Sequence, residues 1–428
     1  MNDSVTSVTR DLERTIGRGR VRLPHYESRA AQVIVEPENL DEAIELVCKC
    51  ERDGIALAAF GAARTLAQIR PSPVELGISL ARLNRILAYE PDDMTITVEA
   101  GVTLAELNAH LLTHGQRLAV DPPRPELTTI GALIGGARSG PIRMSEGTVR
   151  DLLIGIRYIG HQGRMIHGGG SVVKNVAGYD LMKIMAGSYG TLGIVTEATF
   201  KLRPIPANFT LACGKFGARA TALAAAMQLR EIGSMVHLEV VSKAGARALA
   251  YDENFVVMAG LAGSAQEVAH LQDRVTHVIG DAAFIDGAGA IAAYERLRDF
   301  IDHESVTGAV AAEIAVPYTE LPGVLEACAS EFRAHIGNGV GQLFDGTGQP
   351  GDNGNPASQV PAEIISRWRE AVHEARGILR VLRLPPEALA QVAIFDDPPP
   401  AAFKLMRRLK ATFDPRGIFN PGSFVGGL

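Results

Sequence analysis

The first part of the chain alternates between short apolar runs and a segment with the apolar spacing of a helix face. Residues 33–35 and residues 55–59 are apolar runs that predict two buried strands. Between them, after Pro37, apolar side chains recur at helical spacing until Gly54 predicts the end of a helix: Leu40, Ala43, Ile44 and Val47. The pattern predicts a βαβ-like unit whose second strand leads directly into residues 60–65.

The next segment contains further strands and a capped helix. Residues 94–100 and 193–202 have strand patterns, and residues 152–159 and 164–167 predict a hairpin around a glycine-containing turn. Thr103 and Glu106 predict a capping box at the start of a helix that ends near Gly115. Pro204 and Pro206 interrupt the pattern, and we expect the first domain to end at residue 206.

After residue 207, strands alternate with alanine-rich helices. The predicted strands are residues 255–261, 308–316 and 378–384, and the predicted helices are residues 218–231, 264–279, 319–333 and 361–375. Ser264 and Glu267 form a second capping box. This interleaving fits a ferredoxin-like α+β sheet over residues 207–395. Residues 345–355 predict a loop, and the Pro and Gly residues of 413–422 predict turns.

Composition narrows the possible functions. The chain has 428 residues, which exceeds one ordinary hydrophobic core, so we expect two domains. The net charge is -6 and Lys and Arg do not cluster, which argues against a nucleic-acid partner. The four cysteines have neither a disulfide framework nor iron-sulfur spacing, so any such cluster must belong to a partner. No stretch approaches the roughly 20 apolar residues of a membrane span, and we expect a cytoplasmic protein that meets the membrane only through partner subunits.

Glycine-dense segments are the main candidates for ligand binding. They are residues 129–140, 168–181 and 187–196, and their irregular glycine spacing suits close approach of backbone to a flat, anionic ligand. Residues 60–65 follow a predicted strand, where small residues expose successive N–H groups that can bind phosphate. A plain tight turn is the alternative interpretation of that loop.

In order and content, these segments resemble the PCMH-type FAD-binding domain of the vanillyl-alcohol-oxidase-like flavoproteins, and especially the E-type subunits of glycolate oxidases. Residues 174–181 and 187–196 carry much of the resemblance. It implies an α+β fold in which residues 1–206 form a PCMH-type FAD-binding domain of two α/β subdomains. Residues 207–395 would form the ferredoxin-like α+β cap, and residues 396–428 a C-terminal segment that returns to the FAD domain.

The resemblance also implies a set of cofactor-binding residues and a non-covalent FAD, since no His or Cys lies where attachment is expected. Ala62, Ala63 and Ala132 stand where the family has glycine, and Arg64 would compensate by pairing with phosphate. The alternative is that FAD has been lost. The implied FAD contacts are Gly61, Ala62, Ala63, Arg64, Thr65, Pro123, Thr129, Ile130, Gly131, Gly135, Ala137, Ser139, Gly140, Gly193 and Val195.

The implied function is that of a subunit in a glycolate-type 2-hydroxy acid oxidase or dehydrogenase complex. A hydride would pass from a small 2-hydroxy acid to the flavin, and electrons would leave through an iron-sulfur subunit, with a second FAD subunit in the complex. The alternatives are an FAD-depleted assembly subunit and a stand-alone oxidase of sugars or alcohols. His335 is the one candidate catalytic residue, and a histidine without catalytic role is the alternative; no metal site is expected.

Overall fold

The computed structural model describes residues 12, 17, 19–24, 31–61, 74–170, 180–302, 310–345 and 360–428. Several predicted features therefore lie outside the described residues. They are the phosphate loop beyond Gly61, residues 171–179, His303 and most of the predicted loop 345–355. Within the described part of the chain, no helix is both long and apolar enough to cross a membrane.

The first sheet has the order β1–β2–β4–β3, with β2, β4 and β3 parallel. Its strands are β1 (Val21–Arg22), β2 (Ala31–Val35), β3 (Leu57–Phe60) and β4 (Val74–Ser79). Helix α1 (Leu40–Asp53) connects β2 to β3. It begins later than predicted because the Asn39 side chain caps it by accepting a 3.0 Å hydrogen bond from the Glu42 N–H, and it ends at left-handed Gly54.

The second sheet is antiparallel, in the order β5–β6–β10–β8–β9. One hydrophobic core, which includes Val33, Val98, Ile134 and Phe200, joins it to the first sheet. Its strands are β5 (Ile86–Glu90), β6 (Thr95–Glu99), β8 (Leu153–Ile159), β9 (Met165–Gly169) and β10 (Ile194–Lys201), and a separate short pair is β7 (Gln116–Arg117) with β11 (Arg203–Pro204). The helices of this region are α2 (Leu104–Leu112), α3 (Ile130–Gly136), α4 (Arg143–Glu146), α5 (Val149–Leu152) and α6 (Leu181–Met185).

The cap contains an antiparallel sheet of eight strands in the order β15–β12–β14–β13–β17–β18–β16–β19. The strands are β12 (Asn208–Phe216), β13 (His237–Val241), β14 (Phe255–Gly263), β15 (Ala283–Asp286), β16 (Val310–Ala315), β17 (Glu331–His335), β18 (Val340–Asp345) and β19 (Ile378–Arg383). The helices are α7 (Arg219–Ile232), α8 (Lys243–Ala248), α9 (Ala265–Ile279), α10 (Gly287–Arg298), α11 (Leu321–Cys328) and α12 (Pro361–Glu374).

This sheet is a doubled ferredoxin-like unit. Strands β12 to β15, with α7 and α9 as crossovers, have the ferredoxin-like order fourth, first, third, second. Strands β16 to β19, with α11 and α12, repeat the same order, and the two halves meet where β13 pairs with β17. The prediction of a ferredoxin-like α+β cap is confirmed, and the duplication is an addition that the sequence pattern did not reveal.

One predicted cap helix is wrong in its last five residues. The helix predicted over residues 319–333 ends at Cys328, because Ala329 adopts a left-handed conformation with φ of 48°. The chain then enters β17, in which Phe332 and Ala334 face the core covered by the crossover helices. Arg333 and His335 alternate with them and face the opposite side of the sheet.

The C-terminal segment lies against the first sheet. Helix α13 (Pro400–Phe413) leads into a stretch that pairs with β3: the Leu57 N–H donates to the Ile418 carbonyl (2.9 Å), and the Asn420 N–H donates to the Leu57 carbonyl (2.6 Å). Lys410 Nζ donates to the carbonyls of Thr191 (2.7 Å) and Phe419 (2.8 Å). The C-terminal segment thus packs against β3 and against the segment around Thr191.

Candidate active site

A cleft of about 1130 Å³, a volume that includes its open mouth, lies between the first sheet, helix α3 and the cap. Its described walls consist mostly of backbone and small side chains, with few charges. Arg124, Arg138 and Asp302 are the charged residues among them.

The structure brings about half of the predicted cofactor-binding residues to this cleft. Those that line it are Gly61, Pro123, Thr129, Gly131, Gly135, Gly193 and Val195. Ile130 is fully buried in the hydrophobic core, and Ala137 forms the left-handed C-cap of α3. Neither they nor Ser139 and Gly140 are among the lining residues. Ala62, Ala63, Arg64 and Thr65 lie outside the described residues.

Two glycines shape the cleft in different ways. A Cβ on Gly61 would lie 2.4 Å from Thr129 Oγ1, so this glycine lets the end of β3 approach the start of α3 closely. A Cβ on Gly135 would meet only the Gly190 backbone nitrogen, at 3.8 Å, so it has open space in front of it. Ser188, which also lines the cleft, has a buried Oγ without a hydrogen-bond partner within the described part of the chain. A flat ligand with polar groups, such as FAD, fits these walls.

Asp121 holds the glycine-dense segment in place. Its carboxylate accepts hydrogen bonds from the N–H groups of Gly140 (3.1 Å) and Ile142 (3.0 Å) and from the Tyr294 hydroxyl of the cap. A Cβ on Gly140 would lie 2.0 Å from the Asp121 carbonyl oxygen, so the close approach requires glycine. Gly140 therefore packs behind the cleft. Burial raises the pKa of Asp121 to about 6.

Tyr189 is fixed by three parts of the chain. It sits in a left-handed conformation with φ of 54° and lines the cleft. Its ring packs against Phe395 and Phe424, with centroids 5.5 and 5.8 Å away. The Asn420 side-chain amide donates to its carbonyl, and Arg380 of the cap donates to its hydroxyl. Tyr189 thus connects the cleft, the C-terminal segment and the cap.

The cap presents a polar row toward this side of the molecule. Strand register places Glu239 opposite His335, Gln342 opposite both Arg333 and Glu313, and Glu313 opposite Arg380. Residues opposite each other on antiparallel strands share a face of the sheet. The row therefore runs across the sheet on the face that the crossover helices leave uncovered.

A smaller chamber of about 430 Å³, a volume that includes open solvent, lies beside the cleft and is lined mostly by cap residues. Arg138, Tyr189 and Asp302 line both cavities. The register between β16 and β19 is irregular: Ala311 pairs with Arg383, but Ala312 pairs with Val381. This bulge lets Arg380 and Arg383, three residues apart, share one face and line the chamber.

None of the arginines on the chamber wall was predicted as a site residue. Arg380 also donates to Glu313 (2.8 Å), Arg383 donates to the Ile301 carbonyl (3.0 Å), and Arg138 lies 3.8 Å from Asp302. Tyr189 and Arg138 did belong to glycine-dense segments that the sequence singled out. The local pattern gave no reason to select those two side chains.

The predicted candidate His335 lines neither cavity. It is buried, with Nδ1 2.6 Å from Glu239 Oε1 and Nε2 3.4 Å from Arg333. His237 lies nearby between the rings of Phe209 and Tyr294, and burial lowers the pKa of His237 to about 3. Among the described residues, no group of three His, Cys, Asp or Glu side chains is arranged to hold a metal ion.

Comparison with known sequences gives two family matches. Residues 31–169 match the FAD binding domain family, and residues 397–424 match the C-terminal domain of the FAD linked oxidases.

Three relatives illustrate the range of similarity. The chain is 42% identical over 122 residues to glycolate oxidase subunit GlcE of Escherichia coli (strain K12), covering 28% of this chain and 35% of the relative. It is 34% identical over 185 residues to subunit GlcD of Bacillus subtilis (strain 168), covering 43% and 39%. It is 26% identical over 429 residues to a D-lactate dehydrogenase of Archaeoglobus fulgidus, covering 94% of each. The matches to the two glycolate oxidase subunits therefore span well under half of those relatives' lengths.

Solved structures with the same fold cover nearly the whole chain. p-Cresol methylhydroxylase superimposes with a TM-score of 0.73 at 15% identity, covering 99% of this chain and 98% of that one. Alkyldihydroxyacetonephosphate synthase superimposes with a TM-score of 0.70 at 17% identity, covering 98% and 85%. The chain therefore has the fold of the PCMH-type FAD-binding flavoproteins, and its residues 31–169 match the FAD binding domain family.

Proposed function

We propose that this chain is the FAD-binding subunit of a glycolate-type 2-hydroxy acid oxidase or dehydrogenase. One observation carries the proposal: beside the glycine-lined cleft, and sharing Arg138, Tyr189 and Asp302 with it, lies a chamber that is also lined by Arg380 and Arg383. Guanidinium groups are well suited to hold a carboxylate, which every 2-hydroxy acid carries. The cofactor and an anionic substrate would therefore meet where the two cavities join.

The oxidation converts a 2-hydroxy acid to a 2-oxo acid. When bound, FAD supplies the two-electron acceptor chemistry, taking up the α-hydrogen as hydride while the hydroxyl hydrogen leaves as a proton. The chain's own residues bind and orient the reactants: the glycine-lined walls hold the cofactor, the arginines hold the carboxylate, and the cap covers the chamber. The similarity to glycolate oxidase subunits and to D-lactate dehydrogenases supports this substrate class.

Replacement of Gly135 tests the cofactor site. Since a side chain at Gly135 has open space in front of it, Gly135→Leu should leave the fold intact and fill the cleft. Gly323→Leu is the matched control, because Gly323 is also helical and a Cβ there meets nothing within 4 Å. The purified chain and the control should show flavin absorbance near roughly 375 and 450 nm, as bound oxidised flavin does. Gly135→Leu should lack it at an unchanged melting temperature.

A native chain that purifies without flavin, and takes none up from added FAD, would instead support the FAD-depleted assembly subunit.

A separate experiment tests whether FAD is covalently attached. No His or Cys is among the described lining residues of the cleft, which supports a non-covalent cofactor. Acid precipitation should therefore release the flavin into the supernatant, whereas a yellow protein pellet would contradict this.

The proposed partners are a second FAD subunit and an iron-sulfur subunit that receives the electrons. Support comes from the relatives GlcE and GlcD, which are both named as subunits of glycolate oxidase. Purification of the tagged chain from its native cells should recover iron, acid-labile sulfide and a second flavin. Rapid oxidation of glycolate or D-lactate by the isolated chain, with an artificial acceptor, would favour a stand-alone oxidase.

A further inference from the structure

One side of helix α13 in the C-terminal segment is exposed and basic. Every exposed position of this helix lies on that side, at the spacing of a helix face. It carries Lys404, Leu405, Arg407 and Arg408, and its other positions are Pro, Ala or Thr. The positions of the opposite side are half-buried, and its large apolar side chains are Phe403, Met406, Leu409 and Phe413.

The three cations of the exposed side have no acidic partner. Within the described residues, no carboxylate lies within ion-pair distance of Lys404, Arg407 or Arg408, and the helix itself contains no Asp or Glu. Lys404 precedes the two arginines by three and four residues, so the like charges repel one another along the helix surface. The cluster therefore does not stabilise α13.

This basic side belongs to an acidic protein. Residues 398–428 contain five Lys or Arg side chains and one Asp, a net charge of +4, whereas the whole chain has a net charge of -6. The other residues therefore sum to -10. A basic patch on an acidic chain attracts a partner with an acidic surface, and it speeds the association of the two.

The distribution of apolar side chains favours a protein over a lipid surface as the partner. A helix that binds a membrane surface buries a continuous apolar side in the lipid. In α13 the large apolar side chains lie on the half-buried side, and only Leu405, 56% exposed, accompanies the cations. Protein interfaces, by contrast, are enriched in arginine. The exposed side of α13 therefore has the character of a protein interface.

The inner side of α13 adjoins a wall of the cleft. Lys410 Nζ donates to the Thr191 carbonyl (2.7 Å), and the neighbouring Gly190 lines the cleft. An α-helix with its side chains is about 10–12 Å across. A partner on the outer side of α13 is therefore separated from this wall by the width of one helix.

We propose that the exposed side of α13 is the surface on which an acidic face of the electron-accepting subunit docks. Carboxylates of that subunit pair with Lys404, Arg407 and Arg408, and an apolar side chain covers Leu405. The inference rests on the proposed function, because it gives the iron-sulfur subunit proposed there a place on this chain. It brings the acceptor to the outside of the cleft wall that contains Gly190.

Charge reversal on this side of the helix tests the proposal. The tagged native chain and the variant Lys404→Glu/Arg407→Glu/Arg408→Glu are purified from the native cells at low ionic strength. Iron and acid-labile sulfide are then measured per chain. The native chain should recover both, and the variant less than about a tenth as much, because like charges that face each other across an interface are strongly unfavourable.

A matched control separates the local effect from the change in net charge. Arg150→Glu/Arg274→Glu/Arg296→Glu alters the net charge equally at exposed positions on three other helices, and it should recover iron and sulfide like the native chain. Both variants should keep the native melting temperature, since all six positions are exposed. The corresponding glutamine variant of α13 serves if the glutamate variant misfolds, and its recovery should fall less steeply.

Unchanged recovery in a folded α13 variant would overturn the proposal, and two measurements would then identify the occupant. The first is sedimentation with vesicles of phosphatidylcholine and phosphatidylglycerol. Sedimentation that only the α13 variant loses would assign the surface to a membrane. The second is light scattering, in which loss of a dimer by that variant alone would assign the surface to a second copy of the chain.

The same samples separate this inference from the proposed function. Absence of iron and sulfide from the purified native chain would refute the proposed partner, and this inference with it. Recovery that is equal in the native chain and the α13 variant would refute only the docking surface, whereas the flavin absorbance of both samples reports on the cofactor site alone.

Discussion

The Tyr294 hydroxyl in the cap donates a hydrogen bond to Asp121 Oδ2 in the FAD-binding part of the chain. The same carboxylate accepts hydrogen bonds from the Gly140 and Ile142 N–H groups, so one side chain anchors both the glycine-dense segment and the cap. Displacement of the cap must therefore disturb the segment that runs behind the cofactor cleft.

Removal of the Tyr294 hydroxyl should loosen the cleft. Tyr294→Phe keeps the ring contacts with Phe209 and His237 but leaves the buried Asp121 with one donor fewer. We expect a loss of about 1–3 kcal/mol in the free energy of unfolding and weaker FAD binding, measured by urea unfolding and by fluorescence titration of the flavin. Tyr251→Phe, whose hydroxyl contacts Cys213 inside the cap, is the control and should not alter FAD affinity. Equal effects of the two variants on FAD affinity would contradict the prediction.

Asp121 should stabilise the fold at low pH and lose that contribution as the pH rises, the reverse of a carboxylate whose pKa is lowered on folding. Burial raises the pKa of Asp121 from 3.8 to about 6, so its contribution is fully present below pH 3.8 and is lost as the pH rises through 6. At about 1.4 kcal/mol for each pKa unit, the total is roughly 3 kcal/mol. The difference in unfolding free energy between the native chain and Asp121→Asn should therefore shrink between pH 4 and pH 7. A difference independent of pH would refute this.

His237 should have the opposite dependence. Burial lowers the pKa of His237 from 6.5 to about 3, so its contribution is present above pH 6.5 and is lost as the pH falls toward 3. The unfolding free energy of the native chain relative to His237→Asn should therefore fall as the pH drops from 7 to 4. Urea unfolding at each pH measures both residues in one series, and parallel slopes for the two variants would contradict the assignments.

Lys410 should be required for the docking of the C-terminal segment. Its ammonium group donates to two carbonyls and to the buried Asp414 carboxylate (2.7 Å). Lys410→Met keeps the apolar stem but removes the cation beside the buried Asp414, which then keeps only the Ile418 and Phe419 N–H donors; breaking such a buried ion pair typically costs about 3–5 kcal/mol. We expect that loss in urea unfolding, together with faster proteolysis near residue 420. Lys404→Met, exposed on the same helix, should behave like the native chain, and similar losses in both would contradict the prediction.

The sequence predicted features that depend on a few neighbouring residues. The capping boxes of Thr103 with Glu106 and Ser264 with Glu267 are present, because each involves residues three apart in one helix turn. The end of α11 was missed because only Ala329, in a left-handed conformation that alanine seldom adopts, stops a helical pattern that otherwise continues.

The candidate site needed information that no local pattern carries. Tyr189 and Arg380 are 191 residues apart, and a bulge between β16 and β19 decides that Arg380 and Arg383 share a face. Gly140 was predicted as an FAD contact, but it does not line the cleft and packs against the Asp121 backbone instead. Its neighbour, the Asp121 backbone, lies on a separate segment of the chain, so its packing role was not predictable.

The two ferredoxin-like units of the cap, which meet where β13 pairs with β17, differ in the side chains on one face of the sheet. In the first copy, the face that bears the polar row is filled by apolar contacts such as Leu211 and Met258 with Leu297 of α10. In the second copy, the corresponding face carries the ion pair of Glu313 with Arg380, and Arg380 lines the smaller chamber. Under the proposed function, substitutions on β16 and β19 would therefore alter the chamber directly, whereas substitutions in the apolar face of the first copy would alter the stability of the cap.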